Sequence, residues 1–455
     1  MDARALHNSL VFLNRPVHTG PQSTVLYNYK VKAKAKTLSS QTLHFSCSPM
    51  AAPLRRTFTI PFFRRHFLAS YSAAATSVPN PSSVSAAKSA IRSESDAERL
   101  VSLFESVTDC PSFYGDRSIY KLTIDKLARR RRTDLIERVL EKAMHSERTP
   151  KSEGFLIRLI GLYSEAGMVD QAVRVFENIP SLAGQRSERS LCALLSAFLD
   201  NGCIERLQDA FSRSVEEYGV APGIASYNIY LKALCSSSAN KVDEALALFD
   251  QMHDKGIEPD ISCYNTLLDG YSKKGDYAGF DKVLKEICKK GLSQNVGTYN
   301  CRIAALCAKG KSFQAEELLD VMKLNGIFPD KISFNTLINR FCEQGNTDSA
   351  IELFKRMKDV KAPGGRVVLP DSYTYIKLTQ GLVEKGEFGK AVEICKECLD
   401  NKWAPSFKTM KELIDGLIKN SQVDEAKGIV ARMKKGLVKG DAKVAWEKMK
   451  EGFAF

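Results

Sequence analysis

Histidine is scarce in this chain of 455 residues: there are six, and His7, His18, His44 and His66 all fall near the start. Only His145 and His253 remain beyond, far apart in sequence. The commonest general base and metal ligand is therefore nearly missing from the body of the protein. No G-x-x-x-x-G-K-[ST] phosphate loop occurs. No run of eighteen or so apolar residues occurs either, so no membrane-spanning helix is expected. The twelve cysteines are scattered, with Cys192, Cys235, Cys263, Cys301, Cys307 and Cys342 at positions where a small hydrophobe packs well. That distribution fits a reducing compartment better than a disulfide scaffold. Cys395-x-x-Cys398 has metal or redox spacing, but it lies in a helical pattern with no second pair and no histidine nearby. A zinc site takes four ligands, so no metal is expected there.

Acidic residues are absent from a long initial stretch. Residues 1–93 hold twelve lysines and arginines against one acid, Asp2. Basic, rich in serine and poor in acid is the composition of an organelle transit peptide, expected here over 1–75. The segment from Met50, MAAPLRRTFTIPFFRRHFLASYSAAATS, alternates arginines with Phe, Ile and Leu, as an import receptor for amphipathic helices requires. Met50 is a second candidate start, and cleavage is expected between Phe67 and Ser72. The arginine pairs favour the mitochondrion, with the plastid as the alternative. A basic tail that binds RNA is the competing reading. This stretch carries +11 of the net charge of +13. The rest is close to neutral, so any affinity for nucleic acid must come from local patches or base contacts.

What is present is a beat of 35 residues. Tyr227-Asn228, Tyr264-Asn265, Tyr299-Asn300 and Phe334-Asn335 recur in phase, and Asp260, Asn295, Asp330, Asp371 and Ser406 close successive units. A period in this range means stacked two-helix units. In 331–371, Leu337, Ile338 and Phe341 are spaced along one face of a first helix. Gly345 with Asn346 marks the turn. Ala350, Leu353, Phe354 and Met357 line a second helix. Its neighbour repeats the plan with Ile303, Leu306, Ala315, Leu318, Leu319 and Met322. No unit can bury its apolar stripe alone, so one continuous core is expected along the stack.

Segments such as ISFNTLINRFCEQGNTDSAIELFKRM resemble pentatricopeptide repeats. The 35-residue length and the terminal Pro-Asp separate them from the 34-residue tetratricopeptide pattern. Nine units are expected, at 117–152, 153–187, 188–223, 224–260, 261–295, 296–330, 331–371, 372–406 and 407–441. Gly167 and Gly202 place the degenerate early ones. Residues 76–116 are read as a linker with a capping helix, and 442–455 as a C-terminal capping helix or tail. The resemblance implies an all-α, right-handed superhelical solenoid without a C-terminal enzymatic extension. It also implies that no cofactor and no catalytic residues are present.

In the family, first helices line the concave face and each unit reads one RNA base with its fifth and last residues. Carried over, Asn228 with Asp260, Asn300 with Asp330 and Asn335 with Asp371 are U-like, and Asn265 with Asn295 is associated with C or U. Short amides and carboxylates suit hydrogen bonding to a base edge. The other units offer Lys121, Ile157 with Ser187, Cys192 with Gly223, Ile376 with Ser406 and Lys411 with Asp441. Of these, Ile and Cys cannot read a base edge by hydrogen bonding. The family's second position, usually a Val that sandwiches the base, holds Ala225, Ser262, Gly297, Ile332, Tyr373 and Lys408. Lys273 stands at a position near the RNA backbone in the family, followed one unit at a time by Ala308, Glu343 and Glu384. The run Arg129, Arg130, Arg131, Arg132 suits phosphate, or else is a solvated helix end. Lys434, Lys435 and Lys439 form a lesser cluster. The partners implied are single-stranded RNA or ribosomal RNA and, in a ribosomal setting, mitochondrial ribosomal proteins; neither a membrane nor DNA is expected. Two roles stay open: a free factor in mitochondrial RNA metabolism or translation, and a structural component of the mitochondrial ribosomal small subunit. In the second, the Pro363-Gly364-Gly365 insertion becomes a protein-contact loop rather than a tolerated surface insertion.

Overall fold

The computed structural model describes residues 83–436, apart from 109, 111–112, 148, 150, 237–240, 363–364, 402 and 404, together with Trp446. The expected transit segment, the end of the ninth unit with Lys439, and the expected C-terminal tail apart from Trp446 lie outside the described residues, as do the side chains of Lys434 and Lys435.

Helical periodicity and punctuation set the elements. Two helices come first, α1 (Val84–Ser93) and α2 (Ala97–Glu105). The sequence suggested one capping helix here; Ser83 and Asp96 each accept a backbone N–H in the first turn and so start two. Nine pairs follow. They are α3 (Arg117–Arg129) with α4 (Thr133–His145), α5 (Glu153–Glu165) with α6 (Val169–Glu177), then, after the short α7 (Ile179–Ala183), α8 (Glu188–Asp200) with α9 (Ile204–Ser212). Next come α10 (Ile224–Ser236) with α11 (Val242–Asp254), α12 (Ile261–Lys274) with α13 (Tyr277–Lys289), and α14 (Val296–Ala308) with α15 (Ser312–Leu324). The last are α16 (Lys331–Glu343) with α17 (Thr347–Asp359), α18 (Ser372–Glu384) with α19 (Phe388–Asp400), and α20 (Phe407–Lys419) with α21 (Val423–Gly436). The insertion in unit seven forms an antiparallel hairpin, β1 (Lys361–Ala362) and β2 (Arg366–Val367). Among the described residues there is no other strand, and no helix is long and apolar enough to cross a membrane. The fold is an all-α repeat solenoid.

From α5 onward, the first helix of each unit packs on the first helix of the next, through α8, α10, α12, α14, α16 and α18 to α20. Gly270, Gly381 and Gly416 occupy equivalent places in this layer. A Cβ on Gly270 would come within 2.6 Å of Cys235 Sγ, and one on Gly381 within 2.5 Å of Cys342 Cβ. Absence of a side chain is what lets these helices approach. Leu337, Ile338, Phe341, Ala350, Leu353, Phe354 and Met357, expected on the inner faces of unit seven, are all buried.

The core thins at α14 instead of running evenly along the stack. Buried side chains form one cluster from Val84 to Ala305 and a second from Tyr299 to Trp446, and both draw on α14. Towards the first cluster α14 offers only the small Ala305 and Cys301. Beside them Arg302 is half-buried, stacked 4.9 Å from the Tyr299 ring and donating to Gln294 Oε1 at 3.0 Å. Burial pulls the pKa of this guanidinium below its usual value. At the far end Trp446 is fully buried and stacks 6.4 Å from Phe407.

Candidate nucleic-acid interface

Aromatic-Asn pairs work because adjacent helical residues point in different directions. Tyr227, Tyr264, Tyr299 and Phe334 turn into the core, while Asn228, Asn265, Asn300 and Asn335 lie half-buried on α10, α12, α14 and α16. Each closing residue has a local duty. Asp260, Asn295, Asp330 and Asp371 are the N-caps of α12, α14, α16 and α18, accepting backbone N–H groups of the first turn.

Three of the four expected pairs meet. Asn265 Nδ2 donates to Asn295 Oδ1 at 3.1 Å, Asn300 Nδ2 to Asp330 Oδ1 at 3.1 Å, and Asn335 Nδ2 to Asp371 Oδ1 at 3.3 Å. The fourth, Asn228 with Asp260, has no such bond; Asn228 Oδ1 instead accepts from Thr266 Oγ1 at 2.9 Å. In units five to seven the closing Asn or Asp therefore caps one helix and holds the amide of the unit before it.

The surroundings differ along the array. At units seven and eight the second-position side chains Ile332 and Tyr373 are 61 % and 48 % exposed. They flank the Asn335–Asp371 pair in sequence order and offer apolar surface. At unit six Gly297 leaves the space that a Cβ would take at 3.0 Å from Asn265 Nδ2 and 3.1 Å from Asn295 Oδ1. Lys273 is drawn to Asp269 at 2.6 Å. Glu343 accepts from Asn339 at 2.7 Å, and Glu384 from Gln380 at 2.8 Å.

The early units close the same positions differently. Glu153 Oε1 accepts from Ser187 N–H at 2.8 Å and Ser187 Oγ at 2.7 Å. Glu188 Oε1 accepts from Gly223 N–H at 2.9 Å and Ser226 Oγ at 3.1 Å. Burial alone would raise the Glu153 pKa; hydrogen bonds from Ser187 and Ser190 outweigh it and hold the carboxyl below its usual range. These braces carry no sequence signature beyond a Glu at the helix start.

The four arginines do not present a common fork. Arg130 donates to Ser95 O at 3.0 Å and Lys126 O at 3.0 Å. Arg132 pairs with Asp134 at 2.7 Å and Glu98 at 2.8 Å. α2 packs beside the α3–α4 turn and supplies Glu98, a partner that a reading of the run alone missed. Arg131 is exposed, with φ 56° in the left-handed region that Gly167, Gly202, Gly275, Gly310, Gly345 and Gly386 occupy at the equivalent turns.

Cys395 and Cys398 are core residues. Both are buried, Cys395 Sγ lies 3.4 Å from Met410 Sδ, and burial pushes each thiol up to about 12. Among the described residues no group of three or more His, Cys, Asp and Glu side chains could hold a metal ion.

Family models agree with the geometry. A PPR repeat model matches 325–358, a pentatricopeptide repeat domain model 247–309, a PPR repeat family model 222–264, and another PPR repeat model 297–327 and 409–436. An Arabidopsis thaliana protein, pentatricopeptide repeat-containing protein At1g11630, mitochondrial, is 38 % identical over 76 % of this chain and 84 % of its own length. The chain belongs to the pentatricopeptide repeat family. Two further Arabidopsis thaliana members are ribosomal by name. Small ribosomal subunit protein mL103 (rPPR7) is 30 % identical over 85 % of this chain and 92 % of its own length. Small ribosomal subunit protein mS78 (rPPR3a) is 32 % identical over 46 % of this chain, which spans 53 % of that relative. This pentatricopeptide repeat protein is mitochondrial, as its basic N-terminal composition suggested and as the At1g11630 name states of that relative.

Proposed function

We propose that the layer formed by α10, α12, α14 and α16 binds a short pyrimidine-rich tract of single-stranded RNA. One base faces each pair: Asn228/Asp260, Asn265/Asn295, Asn300/Asp330 and Asn335/Asp371. The protein acts as a binder, not an enzyme. The observation that carries this is the hydrogen bonding of three consecutive Asn–closing residue pairs, repeated at one-unit steps. An amide braced by a cap has lost its rotamer freedom before the base arrives, so less entropy opposes binding. Ile332 and Tyr373 supply stacking surface for unit seven, where a well-stacked base contributes roughly 1–3 kcal/mol. Arg131 is the member of the basic run left to meet a phosphate; Arg130 and Arg132 serve the fold. The test is anisotropy of the full chain with a U-rich RNA probe. Asn300→Ala combined with Asn335→Ala should weaken binding by roughly tenfold to a hundredfold, the loss of two hydrogen-bonding readers. Unchanged affinity would overturn the reading.

A second reading is favoured by the similarity to the protein named mL103 along nearly its whole length. In it the protein is a structural component of the mitochondrial ribosomal small subunit, meeting ribosomal RNA and ribosomal proteins. A near-neutral body and small second-position side chains at units four to six suit a few shape-based contacts better than a long code. Sedimentation of detergent-lysed mitochondria at moderate salt separates the two. Co-migration with the small subunit supports the ribosomal role. A light pool crosslinked to one pyrimidine-rich transcript supports the free factor.

A further inference from the structure

Units four, six and seven pair an Asn with a closing Asp, and unit five pairs an Asn with a closing Asn, yet the structure holds the amides of four, six and seven differently. Ser333 Oγ, in the first turn of α16, donates to Asn300 Oδ1 at 2.6 Å. Thr374 Oγ1, at the same place in α18, donates to Asn335 Oδ1 at 2.7 Å. Each hydroxyl accepts from the backbone N–H of the closing aspartate, at 3.2 and 3.1 Å. With Nδ2 donating to the carboxylate and Oδ1 accepting the hydroxyl, these two amides are held at both ends. Turned by 180°, each would set its oxygen against a carboxylate oxygen.

Unit five lacks the second hold. The matching hydroxyl, Thr298 Oγ1, lies 3.3 Å from Asn295 Oδ1, and Asn265 Oδ1 is buried with no hydrogen-bond partner among the described residues. Unit four has the opposite half: Thr266 reaches Asn228 Oδ1, but no closing residue meets its Nδ2.

We propose that Ser333 and Thr374 are specificity-determining positioning residues that lock Asn300 and Asn335 in one orientation, so that units six and seven separate uracil from cytosine more sharply than unit four, which carries the same Asn–Asp pair. The inference rests on the groove reading bases as described above. An amide exchanges donor for acceptor when it turns over, and uracil and cytosine differ by that exchange, an acceptor O4 against a donor N4 amine. A locked amide suits one edge; an unlocked amide turns to suit either.

The test uses the full chain and a U-rich RNA oligonucleotide in which a single C is scanned through the sequence. In the wild type the two largest penalties for C should be adjacent and about tenfold each, the scale of one hydrogen bond. In Ser333→Ala with Thr374→Ala those two penalties should fall to about two- to threefold, while the penalties facing units four and five stay as they were. The alanines also remove part of two helix caps, which lowers the melting temperature, so the readout is the U-over-C ratio measured below the melt. Ser333→Thr with Thr374→Ser keeps both hydroxyls and should keep the wild-type ratios. Alanine variants with undiminished penalties would overturn the inference and leave the groove reading intact. A wild type with no position-dependent penalty would overturn both.

Discussion

A single capping carboxylate shows how tightly individual residues are committed here. Asp116 starts α3 by accepting from Ser118 N–H at 2.9 Å and Ile119 N–H at 3.1 Å, and it pairs with Lys88 of α1 at 2.6 Å. It therefore ties the leading helix pair to the array. Burial pushes its pKa upwards; the bonds from Lys88, Ser118 and Ile119 prevail and bring it to about 2, below the ordinary 3.8. A folded-state value below the unfolded one means that the stabilisation is present above about pH 4 and is lost as pH falls towards 2. We expect Asp116→Ala to lower stability by about 1–2 kcal/mol at pH 7 through loss of the cap and of a partly buried ion pair. The gap to wild type, read from denaturant midpoints, should close as pH falls from about 4 to about 2. An undiminished gap at the acid end would show that the carboxylate charge is not what stabilises. At this same scale three of the four closing residues meet the Asn with which the period pairs them, and Asp260 does not. Their use as N-caps, and the hydroxyls of Ser333 and Thr374, were not legible in the sequence: Ser and Thr in a first turn are common, and only the fold shows which amide they reach.

Helices were the most legible level. Apolar spacing and turn glycines located the units, and Gly167 and Gly202 do adopt φ of 75° and 71° at the turns they were read to mark. Among the described residues two turns escape that signal, because Arg131 and Ser421 hold φ of 56° and 61° without being glycine. The leading pair α1–α2 was read as a single capping helix for a different reason: it carries no aromatic-Asn pair and no glycine at its turn. Helix glycines test how closely the first-helix layer is packed. Gly270 sits where a Cβ would lie 2.6 Å from Cys235 Sγ and 3.0 Å from Val242 Cγ2. Overpacking of this kind costs about 1–3 kcal/mol, against a gain of up to about 1 kcal/mol for replacing glycine inside a helix. Gly270→Ala should therefore destabilise by about 1 kcal/mol. Gly428, in α21, has nothing within 4 Å of an added Cβ. Gly428→Ala should stabilise by about 0.5–1 kcal/mol. Equal effects of the two substitutions in thermal melts would mean that propensity alone, not close approach, governs these positions.

For the molecule, the period predicts a uniform stack, and the residues at α14 thin its core. Such thinning is invisible to periodicity, since Gly297, Arg302 and Ala305 occupy ordinary places in the repeat and their cost lies in what they fail to bury. In a repeat array stability is close to a sum of unit terms and nearest-neighbour interfaces, so a weak interface divides cooperative unfolding. The buried clusters before and after α14 should then respond separately. Leu337 is fully buried in the second cluster, and Leu337→Ala should cost about 2–5 kcal/mol there. We expect amide hydrogen exchange to accelerate across α15 to α20, while protection in α5 to α11 stays near wild type. Loss of protection spread evenly from α5 to α20 would mean that α14 transmits stability as well as any other unit. The division also bears on binding. Asn228 and Asn265 stand on helices of the first cluster, whereas Asn300 stands on α14 itself and Asn335 beyond it. A ligand that spans all four pairs must bridge it, and RNA bound across α14 should restore protection to α15 to α20 in the Leu337→Ala variant. A tract held by units six and seven alone would protect those helices and leave α10 and α12 unchanged.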